Sequence, residues 1–213
     1  VVELPELGAR FDAAGCSGAV HVVRLADGRA CGWRADDVRP MASTVKVPVA
    51  LELYARIVDG SIDPTMPVTS TAGDRTLGPT GISQFQDPST ASVRDLAYLM
   101  LSVSDNAATD VITDLVGIDA VNARLQSIGC AQTVVVSTVR ELIDDVGRDL
   151  GFADYRELLA AQRGELGPEA HAAAVDPART GDLRALDGPA TTRTTARDAT
   201  TLLRAIWADT AAP

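Results

Sequence analysis

Strand-like alternation is confined to the front of this chain. Residues 17–25 and 29–35 alternate apolar and polar side chains around Ala26-Asp27-Gly28, a turn sequence suited to a hairpin. Nearly everything after residue 43 reads as helix or turn. Two strands alone make a marginal sheet. The hairpin is therefore expected to be completed by further strands, either beyond Pro213 or from another chain. The fold class this implies is α+β, a helical part beside a small sheet part.

The helices follow from periodicity and caps. Residues 4–14 form a short amphipathic stretch, and a helix carrying Ser43 runs to about Gly60. The Pro- and Gly-rich residues 64–81 read as irregular surface. Ser92 can cap a helix over residues 90–101, where Val93, Leu96, Leu99 and Met100 make an apolar stripe. Residues 107–115, 118–128, 137–150 and 153–163 read as four further helices. A loose connection spans 164–192, and a last helix over 195–208 opens with a capping-box-like Thr195-Ala196-Arg197-Asp198.

Composition narrows the function classes. Apolar residues make up 46% and aromatic ones 4%, which predicts an aliphatic core. A net charge of −10 argues against nucleic acid or anionic membrane surfaces as partners. No apolar run approaches the roughly 18–20 residues of a membrane span. No signal peptide is visible, although the sequence does not begin with Met, and the compartment stays open. Cys16, Cys31 and Cys130 show no paired spacing, so neither a disulfide framework nor a metal site is expected. His21 lies in the first strand of the hairpin and reads as a strand residue, which makes a Ser-His-Asp triad a poor candidate.

The chemistry is carried elsewhere. Lys46 is the only lysine, against 18 arginines. An amine can give up its proton, whereas a guanidinium stays charged. Ser43 stands three residues earlier, one helical turn away on the same face. Downstream comes Ser104-Asp105-Asn106, in a chain whose only other asparagine is Asn122. Alone, Ser43 and Lys46 could be a helix cap and a snorkelling surface side chain. Alone, Ser104-Asp105-Asn106 could be an Asx-turn. Together, in this order, they are hard to reconcile with chance.

At these residues the chain resembles the penicillin-recognising serine hydrolases, that is, the class A β-lactamases, DD-peptidases and related esterases, with S-x-x-K followed by S-D-N. The likeness covers about residues 1–136 and 190–210. It implies a β-lactamase/transpeptidase-like fold in a single domain, 1–213. An α/β lobe would combine 1–59 and 190–213, and a helical lobe would span 60–189. Ser43 would be the nucleophile and Lys46, with a lowered pKa, its base. Ser104 would relay a proton to the leaving nitrogen. Asn106 would bind a substrate carbonyl and help fix Lys46, with Asp105 buttressing the turn. The partner would be a small β-lactam, peptide or ester, with no cofactor and no metal.

Two departures from the family pattern matter. No lysine remains for a Lys-Thr-Gly strand, and Arg179-Thr180-Gly181 lacks strand-like flanks, so that motif is expected beyond Pro213 and this piece alone is expected to be inactive. Glu141 lies at nearly the spacing of the family's water-activating glutamate, yet its setting favours a solvated helix face. The leading expectation is an acyl-enzyme at Ser43. The alternatives are a DD-carboxypeptidase or esterase with slow deacylation, or a catalytically weak ligand-binding module.

Overall fold

A computed structural model describes residues 2–212. Helix α1, Pro5–Ala13, starts on a proline whose fixed φ suits the first helical position. The hairpin forms as its turn sequence predicts, with β2 (Val20–Val23) antiparallel to β3 (Ala30–Trp33). Val2–Glu3, β1, adds a parallel strand on the far side of β3, giving the order β1-β3-β2. Helix α1 closes onto this sheet because Gly8 leaves room for Trp33. A Cβ on Gly8 would stand 2.5 Å from the indole.

Two-residue strands β4 (Arg39–Pro40) and β7 (Arg193–Thr194) pair antiparallel, and Met41 N donates to Thr192 O at 2.9 Å. This clamp brings the C-terminal part of the chain against the entry to helix α2, Lys46–Val58. A 3-10 turn over Ala42–Val45 precedes α2. Pro48 is tolerated in the first turn of α2 because its missing N–H has no helical acceptor there.

Helices α3 (Val93–Ser102), α4 (Asn106–Val116) and α5 (Ile118–Ser127) surround α2. Their shared core is aliphatic, as the low aromatic content requires, with Val49, Leu53, Leu96, Met100, Ile112, Val121 and Leu125 buried together. Side-chain caps hold the ends. Ser92 accepts from Asp95 N on α3, and Asp105 accepts from Ala107 N and Ala108 N on α4. Helix α9, Ala196–Trp207, packs on β2. Its Asp198 carboxylate accepts from Gln132 N at 2.8 Å and Thr133 Oγ1 at 2.9 Å, fixing the chain after α5.

Several elements differ from the sequence reading. The stretch expected to be irregular contains β5 (Pro67–Ser70), which pairs with β6 (Ser89–Ser92), so α3 begins at Val93 rather than residue 90. The loose connection contains α8, Pro168–Val175, and several 3-10 turns. Helices α6 (Val139–Asp149), α7 (Tyr155–Gln162) and α8 build a second small core from Leu150, Leu158, Ala161 and Ala174. Arg179-Thr180-Gly181 lies in a 3-10 turn, not on a strand. The three cysteines are free, and burial pushes the Cys130 thiol up to about 11.

Candidate active site

The 3-10 turn over Ala42–Val45 and the first residue of α2 put Ser43 at the surface and Lys46 beneath it, 2% exposed. Ala42 enters this turn at φ +46° and Ser104 sits at φ +59°. Both are left-handed non-glycine residues; Ser104 contacts the Lys46 amine, and Ala42 directly precedes Ser43. Such backbone costs about 1–3 kcal/mol each and persists where surrounding contacts fix it.

Four oxygens meet Lys46 Nζ: Ser104 Oγ at 2.9 Å, Asn106 Oδ1 at 3.0 Å, Ser104 O at 3.1 Å and Ser43 Oγ at 3.3 Å. Asn106 Nδ2 donates to Leu77 O at 3.0 Å, which turns its carbonyl oxygen toward the amine. Ser104 O and Asn106 Oδ1 can only accept. A neutral amine has two N–H groups for these two acceptors and one lone pair for a hydroxyl proton. An ammonium gives its third N–H to a hydroxyl oxygen instead. The cradle therefore satisfies both protonation states.

Burial lowers the Lys46 pKa from its ordinary value, and the nearby charges of Asp105 and Asp110 oppose that shift. The site is open on the Ser43 side, so the desolvation is partial even though the lysine itself is covered. All four residues singled out from sequence thus converge on one amine.

The segment that backs the site, residues 77–83, has no sequence motif, and it is held by Asp105, the middle residue of Ser104-Asp105-Asn106. Asp105 is fully buried, and its carboxylate accepts from Ile82 N at 2.6 Å, Ser83 Oγ at 2.9 Å, Ala107 N at 3.0 Å and Ala108 N at 3.2 Å. Thr80 Oγ1 donates to Val103 O at 2.6 Å. Residues 77–83 are thereby bolted to the Ser104 turn from outside. The clustered glycines Gly78 and Gly81 were the visible signal. Their lack of side chains allows the approach, since a Cβ on Gly78 would stand 3.0 Å from Asn106 Nδ2.

Glu141 does not join this cluster. Its carboxylate accepts from Thr138 N at 2.9 Å and its N–H donates to Thr138 Oγ1 at 3.2 Å, a capping box at the start of α6. The solvated-face reading of Glu141 agrees with this contact set.

The comparisons with known proteins point the same way. The profile of the Beta-lactamase enzyme family matches residues 5–213. The β-lactamase regulatory protein BlaB of Streptomyces cacaoi is 31% identical over 209 residues, covering 96% of this chain and 63% of that protein. A β-lactamase from Sphaerobacter thermophilus superposes with a TM-score of 0.68 at 24% identity, over 96% of this chain and 60% of its own. The chromosome-encoded β-lactamase of Vibrio parahaemolyticus gives 0.70 at 14% identity, over 98% and 64%. These likenesses show the β-lactamase/transpeptidase-like α+β fold. The chain spans 63% of the length of the curated relative it matches. With a profile match over residues 5–213, the chain belongs to the β-lactamase enzyme family.

Proposed function

We propose that this chain carries the acylating half of a serine hydrolase acting on β-lactams or related amides and esters. The carrying observation is the Lys46 cradle, in which two obligate acceptors leave one lone pair for a hydroxyl proton. In this reading Ser43 Oγ adds to the carbonyl carbon as Lys46 Nζ takes its proton. The C–N bond then breaks, and the leaving nitrogen receives a proton from the Lys46 ammonium through Ser104 Oγ, 2.9 Å away. Asn106 orients the amine and reaches the substrate carbonyl. The lobe division is part of the same proposal: an α/β lobe of 1–59 and 190–213 and a helical lobe of 60–189, with α2 at the seam.

The test is intact-protein and peptide mass spectrometry after treatment with a fluorescent penicillin, on the protein made at the full length of its relatives. The expected result is one adduct, on Ser43, absent in Ser43→Ala. An adduct elsewhere, or none together with no ester turnover, sinks the proposal.

Slow deacylation is the second reading, and the Glu141 capping box favours it. A carboxylate bound to its own helix start is a poor water activator. Glu141→Ala is then expected to cost about 1 kcal/mol of stability through the lost cap, read from the denaturant midpoint, with the adduct lifetime unchanged. A markedly longer lifetime in that variant would assign Glu141 to water activation and remove this reading. The relative's designation as a regulatory protein accords with a long-lived adduct, which would signal where rapid hydrolysis would not.

A further inference from the structure

Between the β2–β3 hairpin and α9 lies a cavity of about 600 Å³ that shares no residue with the Lys46 cradle. Its charged lining has one sign. Arg29 enters from the hairpin, and Arg197 and Arg204 enter from α9, two helical turns apart. His21 of β2 faces them, and among the described residues no Asp or Glu lines the cavity. The chain carries 29 acidic residues against 19 basic ones, so three guanidiniums without a carboxylate run against its composition. A second polar cavity, on the helical side, holds the mixture that composition predicts: Asp74, Asp110, Asp114 and Glu141 with Arg75 and Arg140.

The guanidiniums keep free donors. Arg197 uses Nε and Nη2 on Asp36, at 2.5 and 2.8 Å, and Arg29 uses Nε on Asp27 at 2.8 Å. Both carboxylates are exposed and stand outside the cavity, where water competes for them and an ion pair is weak. Arg204 forms no ion pair with any described residue. Thr200 fixes the histidine. Its hydroxyl donates to Arg197 O at 2.9 Å, so its oxygen accepts from His21 Nδ1 at 2.5 Å. The lone pair is then on His21 Nε2, 3.5 Å from Arg197 Nη1. Burial, with the Arg197 charge second, holds the His21 pKa below its ordinary value, and Asp36 opposes that shift. Nothing inside the cavity balances the three arginines.

We propose that this cavity binds the dianionic phosphoryl group of a small phosphomonoester. Guanidiniums pair with phosphoryl oxygens through charge-assisted, often bidentate hydrogen bonds, and donors on two facing walls match a group with three acceptor oxygens. A carboxylate brings two oxygens and one charge, which a single arginine satisfies. Val23 and Ala30 on the sheet, with Val2 beside them, give the organic body an apolar side. Gly28 leaves the hairpin end open, since nothing stands within 4 Å of the place its Cβ would take. The net charge of −10 repels large polyanions, whereas a small ligand inside the cavity meets the local positive field.

Phenyl phosphate is the probe, followed through the ring NMR signal of His21. The chain has two histidines, and substituting the exposed His171 by Gln assigns the signal. The expected result is a saturable shift of the His21 signal that weakens as salt is added. Arg204→Gln and Arg29→Gln should each weaken binding about tenfold to a hundredfold, the loss of a hydrogen bond to a charged group. Both side chains are exposed, so both variants should melt as the wild type does. Arg94→Gln, at an exposed arginine away from the cavity, should bind unchanged. Benzoate, with the same ring and a single charge, should bind at least about tenfold more weakly. A His21 signal that does not saturate, benzoate binding as tightly as phenyl phosphate, or Arg204→Gln binding like Arg94→Gln overturns the proposal. None of these readouts depends on acylation at Ser43.

Discussion

Lys46→Arg is expected to lower the rate of Ser43 acylation about a thousandfold, since a positioned general base contributes about 10²- to 10⁴-fold. The substitution keeps the positive charge and removes only the capacity to shed a proton. Loss of activity in this variant therefore isolates proton transfer from electrostatic attraction of an anionic substrate. The planar guanidinium also fits poorly where one nitrogen meets four oxygens within 3.3 Å. Lys46→Met gives the complementary control. It removes the charge and leaves Ser104 O and Asn106 Oδ1 without their donor, at a cost of about 1–3 kcal/mol. Both variants should melt cooperatively, and both should fail to label with penicillin. In the wild type the rate should climb with pH as Lys46 loses its proton. Because burial depresses its pKa, that climb should begin below the ordinary lysine range. A flat profile, or a Lys46→Arg variant within tenfold of wild type, would leave Ser43 to be activated by some other group.

The four residues around the amine were legible because they obey local rules. Ser43 and Lys46 are one turn apart, and Ser104-Asp105-Asn106 is contiguous, so two short motifs encode a site that closes over about 60 residues of chain. Hairpin β2–β3 and the caps Ser92 and Thr195 were legible for the same reason. Strands β5 and β6 were not, because polar contacts rather than apolar alternation join them. The buried Arg75 guanidinium donates to Ser70 O, Asp87 O and Ser89 Oγ, and Thr69 Oγ1 meets Thr90 Oγ1 at 2.7 Å. Helix α8 is rich in alanine and carries little amphipathic pattern, so periodicity had nothing to detect. Pairings two residues long, β1 with β3 and β4 with β7, are shorter than any alternation signal. Asp110 shows the general difficulty. Its partners Thr76, Val139 and Arg140 lie some 30 residues away on either side, and only the folded chain brings them together.

Gly81→Ala is expected to be the most destabilising single-methyl addition near the site, at about 3–5 kcal/mol. Gly81 sits at φ +65°, where an L-residue costs about 1 kcal/mol more than glycine. The larger part is steric. An added Cβ would stand 2.0 Å from Asp105 Oδ2 and 2.5 Å from its Cγ. That carboxylate cannot step aside cheaply, because Ile82 N, Ser83 Oγ, Ala107 N and Ala108 N all donate to it. Moving it strands buried donors, and moving the 77–83 segment instead pulls Leu77 O from Asn106 Nδ2. At about 2–4 °C per kcal/mol for a chain of this size, the melting temperature should fall by about 6–20 °C. The defect should reach the chemistry too, because an Asn106 freed from Leu77 no longer aims its oxygen at Lys46. Gly60→Ala is the matched control: its φ is +81°, and nothing lies within 4 Å of the added methyl. It should show only the backbone cost of about 1 kcal/mol. If the two variants melted at the same temperature, the contact between Gly81 and the Asp105 carboxylate would carry no stability of its own.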